Sequence, residues 1–249
     1  MLFSPQIPLQ LIPRRERRFE DFVVGSNTAI VEAIKQMPDE PGSNVFLYGE
    51  EGYGKTHLLT AVCQEVRERQ GRAFYLALKR LPSNAIESLL GLEKLDLVCV
   101  DDLHIIAGNK VWEEALFHFF NRVREVNGRL LVSSQKRLSC LNLCLPDLAS
   151  RLGWGLRLQL LPLEDHDKLV VIDQYSKGMG FSLSEEVQAY LLKHHDRNVA
   201  ALIETVERLH QVSLTNKRRI TIPLARQVLQ SINSQNQTTQ KESSDALKG

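Results

Sequence analysis

The amino-acid sequence predicts an α/β protein: a parallel five-stranded sheet covered by helices, followed by a small all-helical domain. Three observations carry this. Five short apolar runs, at 45–48, 73–78, 97–100, 130–133 and 156–160, alternate with helical periodicity, the pattern of strands joined by right-handed helical crossovers. Strand-like runs cease after Leu163, while helical periodicity continues to residue 232. At the junction of the first strand and the helix after it stands Gly49-Glu50-Glu51-Gly52-Tyr53-Gly54-Lys55-Thr56, which fits G-x-x-x-x-G-K-[ST].

Taken in order, residues 1–18 contain Pro5, Pro8 and Pro13 and then Arg14-Arg15-Glu16-Arg17-Arg18, so an extended arm is expected there. Residues 19–163 form the α/β domain. Its strands read mostly as continuous hydrophobic runs, as expected of strands buried on both faces. Helices are predicted over 56–69 and 111–126. In the second, Val111, Ala115, Phe119, Arg122 and Val123 are spaced for one face, with Trp112, Leu116 and Phe120 beside it. Residues 164–232 hold four predicted helices, at 167–177, 184–195, 199–216 and 223–232, with Ser182-Leu183-Ser184-Glu185 as a capping box before the second. Residues 233–249 are polar, with almost nothing to bury, and a disordered tail is expected.

Composition narrows the function. The 31 Lys+Arg against 30 Asp+Glu leave a formal charge of +1, so the bulk positive field of a nonspecific nucleic-acid binder is lacking. Cys63, Cys99, Cys140 and Cys144 include no Cys-x-x-Cys pair, which argues against a disulfide framework or a zinc site. The seven histidines show no metal spacing and are expected on helix surfaces. No apolar stretch approaches the roughly 20 residues that span a bilayer, and no signal peptide is evident. A cytoplasmic protein is expected.

The loop carries the most specific chemistry. Gly49, Gly52 and Gly54 let the backbone wrap, so that its N–H groups, that of Tyr53 included, and the N-terminus of the following helix face phosphates. Lys55 supplies a point charge to the β- and γ-phosphates of ATP, or to the β-phosphate of ADP, and the Thr56 hydroxyl is a Mg²⁺ ligand. Leu97-Val98-Cys99-Val100-Asp101-Asp102 is a buried strand ending in two carboxylates. Such a strand presents Asp101 to the magnesium and Asp102 to a water. Taken alone, the pair is equally compatible with a helix cap. Ser133-Ser134 ends the next strand, at a sensor position between the two motifs.

With these motifs placed, residues 19 to 232 resemble the AAA+ module of the bacterial replication initiator DnaA. The resemblance rests on Phe19-Glu20-Asp21-Phe22-Val23-Val24-Gly25, on the Walker pair, and on Ser150-Arg151-Leu152-Gly153-Trp154-Gly155-Leu156. It implies an AAA+ P-loop domain with a helical lid. It also implies that Arg151 is an arginine finger, reaching the γ-phosphate bound by a neighbouring subunit, with homo-oligomers a further option. Without the resemblance, an arginine between Leu148 and Leu152 on a short helix reads equally as a surface ion-pair residue. One position departs from the family: Asn-Val-Arg-x-Leu appears as Asn198-Val199-Ala200-Ala201-Leu202, with alanine where a sensor arginine is expected. Arg197 is an imperfect substitute, and the chain's own ATPase is expected to be weak or absent.

Gln6-Ile7-Pro8-Leu9-Gln10-Leu11 is similar to the hexapeptide with which bacterial proteins bind the sliding clamp, the β subunit of DNA polymerase III. Gln6 can hydrogen-bond at a pocket edge while Leu9 and Leu11 anchor in an apolar groove; a frayed terminus is the alternative. No helix-turn-helix reader of double-stranded DNA is recognisable. The layout resembles that of DnaA-like regulators in regulatory inactivation of DnaA, implying a clamp-tethered protein that stimulates hydrolysis of DnaA-bound ATP. A free-standing ATPase of the helicase-loader class and a single-strand-binding initiator paralogue are the competing readings.

Overall fold

The computed structural model describes residues 17–82, 85–194, 198–216 and 218–232. The clamp hexapeptide with Gln6, Leu9 and Leu11, as well as Arg197 and the polar tail, lies outside the described residues.

The chain divides into two compact units between Pro162 and Leu163. In the first unit, five strands, β1 (Asn44–Tyr48), β2 (Ala73–Ala77), β3 (Leu97–Asp101), β4 (Arg129–Ser134) and β5 (Leu156–Gln159), form one sheet in the order β2-β3-β4-β1-β5. Every pairing is parallel. The helices are α1 (Thr28–Gln36), α2 (Lys55–Glu68), α3 (Lys110–Glu125) and α4 (Pro146–Leu152).

Alternation along each strand decides which helix it meets. Val45 and Leu47 pack with Val31 and Ile34 of α1 and with Leu58, Leu59 and Val62 of α2. Phe46, pointing the other way, packs with Leu116 and Phe119 of α3 and Leu148 of α4. Phe46 and Phe119 are fully buried, each contributing about 1.5–3 kcal/mol. The edge strand β5, paired only with β1, is instead largely exposed.

The expected face of α3 is corrected by the structure. Trp112, Leu116, Phe119, Phe120 and Val123 are buried, whereas Val111 is 60% exposed. Glu113 is also fully buried; its carboxylate accepts the backbone N–H groups of Gly108 at 2.7 Å and Leu145 at 2.8 Å. These two bonds tie the loop before α3 and the loop before α4 to the helix, so a charged residue takes a core position that its type argues against.

The second unit contains α5 (Asp165–Gly178), α6 (Glu185–His194), α7 (Val199–Asn216) and a further helix, α8, over 222–232. Its core gathers Ile172, Val187, Leu191, Leu202, Val206 and Val228. Helix α5 begins two residues earlier than the periodicity suggests, since the acidic residues Asp165 and Asp167 suit a helix N-terminus.

Candidate nucleotide-binding site

The loop after β1 is shaped by close packing. Gly52 and Gly54 have φ of +83° and +101°, the left-handed region that favours glycine. A Cβ on Gly54 would stand 2.7 Å from the Phe22 ring, and one on Gly49 would stand 2.8 Å from the Leu160 carbonyl. Phe22, from the segment before α1, thus acts as a floor under the loop. Tyr53 donates its hydroxyl to Glu50 Oε2 at 3.1 Å.

Lys55 begins α2 and is buried. Its Nζ donates to the carbonyls of Gly49 and Glu50, each at 2.7 Å. Burial pushes its pKa down, and the carboxylates of Asp101 and Asp102 pull in the opposite direction. An ammonium has three N–H donors, so one is left for a phosphate oxygen. Thr56, the next residue, donates Oγ1–H to Asp101 Oδ2 at 2.6 Å.

Asp101 ends β3 between two neighbours that address it. Tyr75 of β2 donates its hydroxyl to Oδ2 at 2.6 Å, and Ser133 of β4 donates to Oδ1. Three of the roughly four lone-pair directions of the carboxylate are therefore taken. Thr56 and Asp101 are hard oxygen donors in contact, a set that fits Mg²⁺, which takes one or two protein ligands and completes its shell with phosphates and waters.

Asp102 turns out of the strand with φ +64°, and its backbone N–H donates to Ser133 Oγ at 3.1 Å. Among the described residues no hydrogen-bond donor reaches its carboxylate. Burial, and secondarily the charge of Asp101, raise its pKa. A half-buried carboxylate without a protein donor is free to accept from a water.

The structure adds residues that the sequence analysis leaves out. Tyr75 is legible in the sequence only as a strand tyrosine; the β2–β3 register, with Ala77 opposite Asp101, brings its hydroxyl to the carboxylate. His104, expected on a helix surface, lies instead half-buried beside the site, with Nδ1 accepting the Gln135 N–H at 3.3 Å. Burial lowers its pKa, and the bond to Gln135 places the imidazole proton on Nε2.

Arg151 is not brought to this site. Its backbone carbonyl accepts the Asn44 side-chain amide at 3.3 Å, at the first residue of β1, while the phosphate loop follows the last. The strand separates them by about 13 Å, at about 3.3 Å per residue. The Arg151 guanidinium stacks on Trp154 at 4.1 Å from the ring centroid and lies 5.8 Å from Phe117. In α7 the expected sensor position carries exposed Ala200, whose N–H donates to Asn198 Oδ1 at 2.8 Å.

Among the described residues no helix is long and apolar enough to cross a membrane.

Residues 14–159 match the family model of the bacterial DnaA ATPase domain, and residues 165–229 match that of the Hda lid domain. Among solved structures, domain III of the Thermotoga maritima replication initiation protein DnaA is similar at 24% identity, with TM-score 0.79, over 88% of this chain and 98% of that one. AMPPCP-bound DnaA from Aquifex aeolicus is 25% identical, with TM-score 0.64, over 78% of this chain and 65% of that one. The Thermotoga maritima RuvB branch-migration motor shares the fold at 18% identity and TM-score 0.65, over 88% of this chain and 73% of that one. The α/β fold predicted from the apolar runs, and the AAA+ module that the resemblance implies, are thus the observed ones, and the chain belongs to the DnaA-related AAA+ family, with a lid domain of the Hda type.

Proposed function

We propose that this chain is a negative regulator of DNA replication initiation. It binds ADP or ATP and supplies Arg151 in trans to ATP held by DnaA, promoting hydrolysis to inactive ADP-DnaA. The observation that carries this reading is the placement of Arg151 at the end of β1 remote from the chain's own phosphate loop, on an exposed ring. An arginine so placed serves a phosphate bound elsewhere better than one bound at Lys55.

In this reading Gly49, Gly52, Tyr53 and Gly54 cradle the phosphates of the bound nucleotide, Lys55 faces the β- and γ-phosphates, and Thr56 and Asp101 hold Mg²⁺. The metal supplies charge neutralisation at the phosphates when bound. Asp102 positions a water, while Ala200 in place of a sensor arginine keeps the chain's own hydrolysis weak. Gln6, Leu9 and Leu11 tether the chain to the polymerase III sliding clamp on DNA, in the cytoplasm. Bound nucleotide then serves to keep the chain in a partner-competent form.

The test is single-turnover hydrolysis of DnaA-bound ATP with clamp loaded on DNA. Arg151→Ala should abolish the stimulation, a loss on the order of 10³ in rate. Arg151→Lys should not rescue, because an ammonium lacks the guanidinium fork. A variant that stimulates as well as the wild type defeats the proposal. Robust ATP turnover by the chain alone, unaffected by Arg151→Ala, would favour the helicase-loader reading.

A further inference from the structure

Arg124, in the last turn of α3, and Arg151, in the last turn of α4, stack on the same indole. Their guanidinium carbons lie 4.3 Å and 4.1 Å from the Trp154 ring centroid, so they are no farther apart than those two distances laid end to end. Trp154 is 54% exposed and Arg124 is exposed. Neither guanidinium takes part in an ion pair or hydrogen bond among the described residues. By contrast, Arg69 and Arg122 are matched with carboxylates.

Two unpaired like charges at this separation repel. The negative face of the indole offsets part of that cost and holds both planar forks in fixed orientations. The resulting surface offers ten N–H donors with no internal acceptor, backed by an aromatic ring. This arrangement matches a polyphosphate, whose several charges exceed what one guanidinium neutralises and whose oxygens accept bidentate arginine bonds.

Beside the stack lies a groove of about 500 Å³ lined by Met37, Asn44, Phe120, Val123 and Leu156, with Glu40 also in its wall. A partner seated over the stack can therefore bury apolar surface in the same contact.

We infer that Arg124 is a second phosphate-facing cation, and that the end of α3 together with the Arg151 segment forms the dock for the nucleotide edge of ATP-loaded DnaA. The inference rests on the proposed function and deepens it. Arg124 belongs to none of the motifs in the sequence; only the fold places it on the ring that Arg151 uses.

The test measures binding of the full-length chain, on clamp-loaded DNA, to DnaA carrying either AMPPCP or ADP. Arg124→Ala should weaken binding to the AMPPCP form about tenfold and to the ADP form less than about threefold, with a shallower dependence on salt. Arg124→Lys should recover part of the loss, and Arg124→Glu should deepen it. Equal losses for the two forms, or none, would overturn the inference. The outcome is separable from that of the hydrolysis assay. If Arg151→Ala abolishes stimulation while Arg124→Ala leaves binding untouched, the finger stands and the second cation falls; if Arg151→Ala still stimulates, the proposed function itself falls. Because Arg124 is exposed, these variants are expected to fold, and an unchanged melting temperature checks it.

Discussion

The Tyr75 hydroxyl and the Asp101 carboxylate are joined by a 2.6 Å hydrogen bond across the β2–β3 pair. It holds one oxygen of the carboxylate from the side opposite Ser133, while Thr56 approaches the same oxygen from α2. Burial and the adjacent charge of Asp101 raise the Tyr75 pKa far above the usual phenol range, so the phenol remains a donor at any working pH.

Tyr75→Phe should remove that donor while keeping the ring in the core. A hydrogen bond to a charged group contributes about 1.5–3 kcal/mol, and a loss of that size should appear in urea unfolding. A carboxylate released from Tyr75 is less well fixed, so the Mg²⁺ concentration that half-saturates nucleotide binding should rise severalfold. Unchanged values of both would show the bond to be energetically silent.

Lys55→Ala should reduce the rise in melting temperature produced by ADP to less than about a third of the wild-type rise, since stabilisation by a ligand grows with the logarithm of its concentration relative to its Kd. Equal rises in the two proteins would mark the loop as structural.

Asp102→Asn should stabilise the protein at neutral pH by about one or two degrees. The raised pKa of Asp102 means that the folded state favours the protonated form. That contribution is complete below the ordinary aspartate value and is lost as pH rises through the folded-state pKa. An amide, which is never charged, escapes the loss, so the advantage of the variant should shrink as the pH is lowered toward 4. Asparagine also tolerates the positive φ at this position. An advantage independent of pH would point to a cause other than ionisation.

Glu113→Ala should cost about 2–4 kcal/mol, because two backbone N–H groups, of Gly108 and Leu145, lose their acceptor in a buried place. Glu113→Gln, which keeps one oxygen acceptor, should cost less. Chemical denaturation of the two variants side by side measures the difference.

The sequence by itself determined the elements, the parallel sheet and the glycine-rich loop between β1 and α2. Apolar runs, helical periodicity and the glycine-lysine-threonine spacing are local properties, readable wherever the chain packs. It also brought Asp101 into the reckoning as the end of a buried strand, and Arg151 through the resemblance carried by its flanks. Tertiary structure alone decided the rest. Strand register, not proximity in sequence, puts Tyr75 and Ser133 on the two oxygens of Asp101. The buried Glu113 contradicts residue-type expectation because its partners come from two separate loops, before α3 and before α4. Arg124 shares a ring with Arg151 only because the fold brings the last turns of α3 and α4 to the same Trp154 side chain. Hydrogen bonds and stacking act between side chains within a few ångströms, and which side chains come that close is a property of the packed sheet and its helices rather than of any single segment.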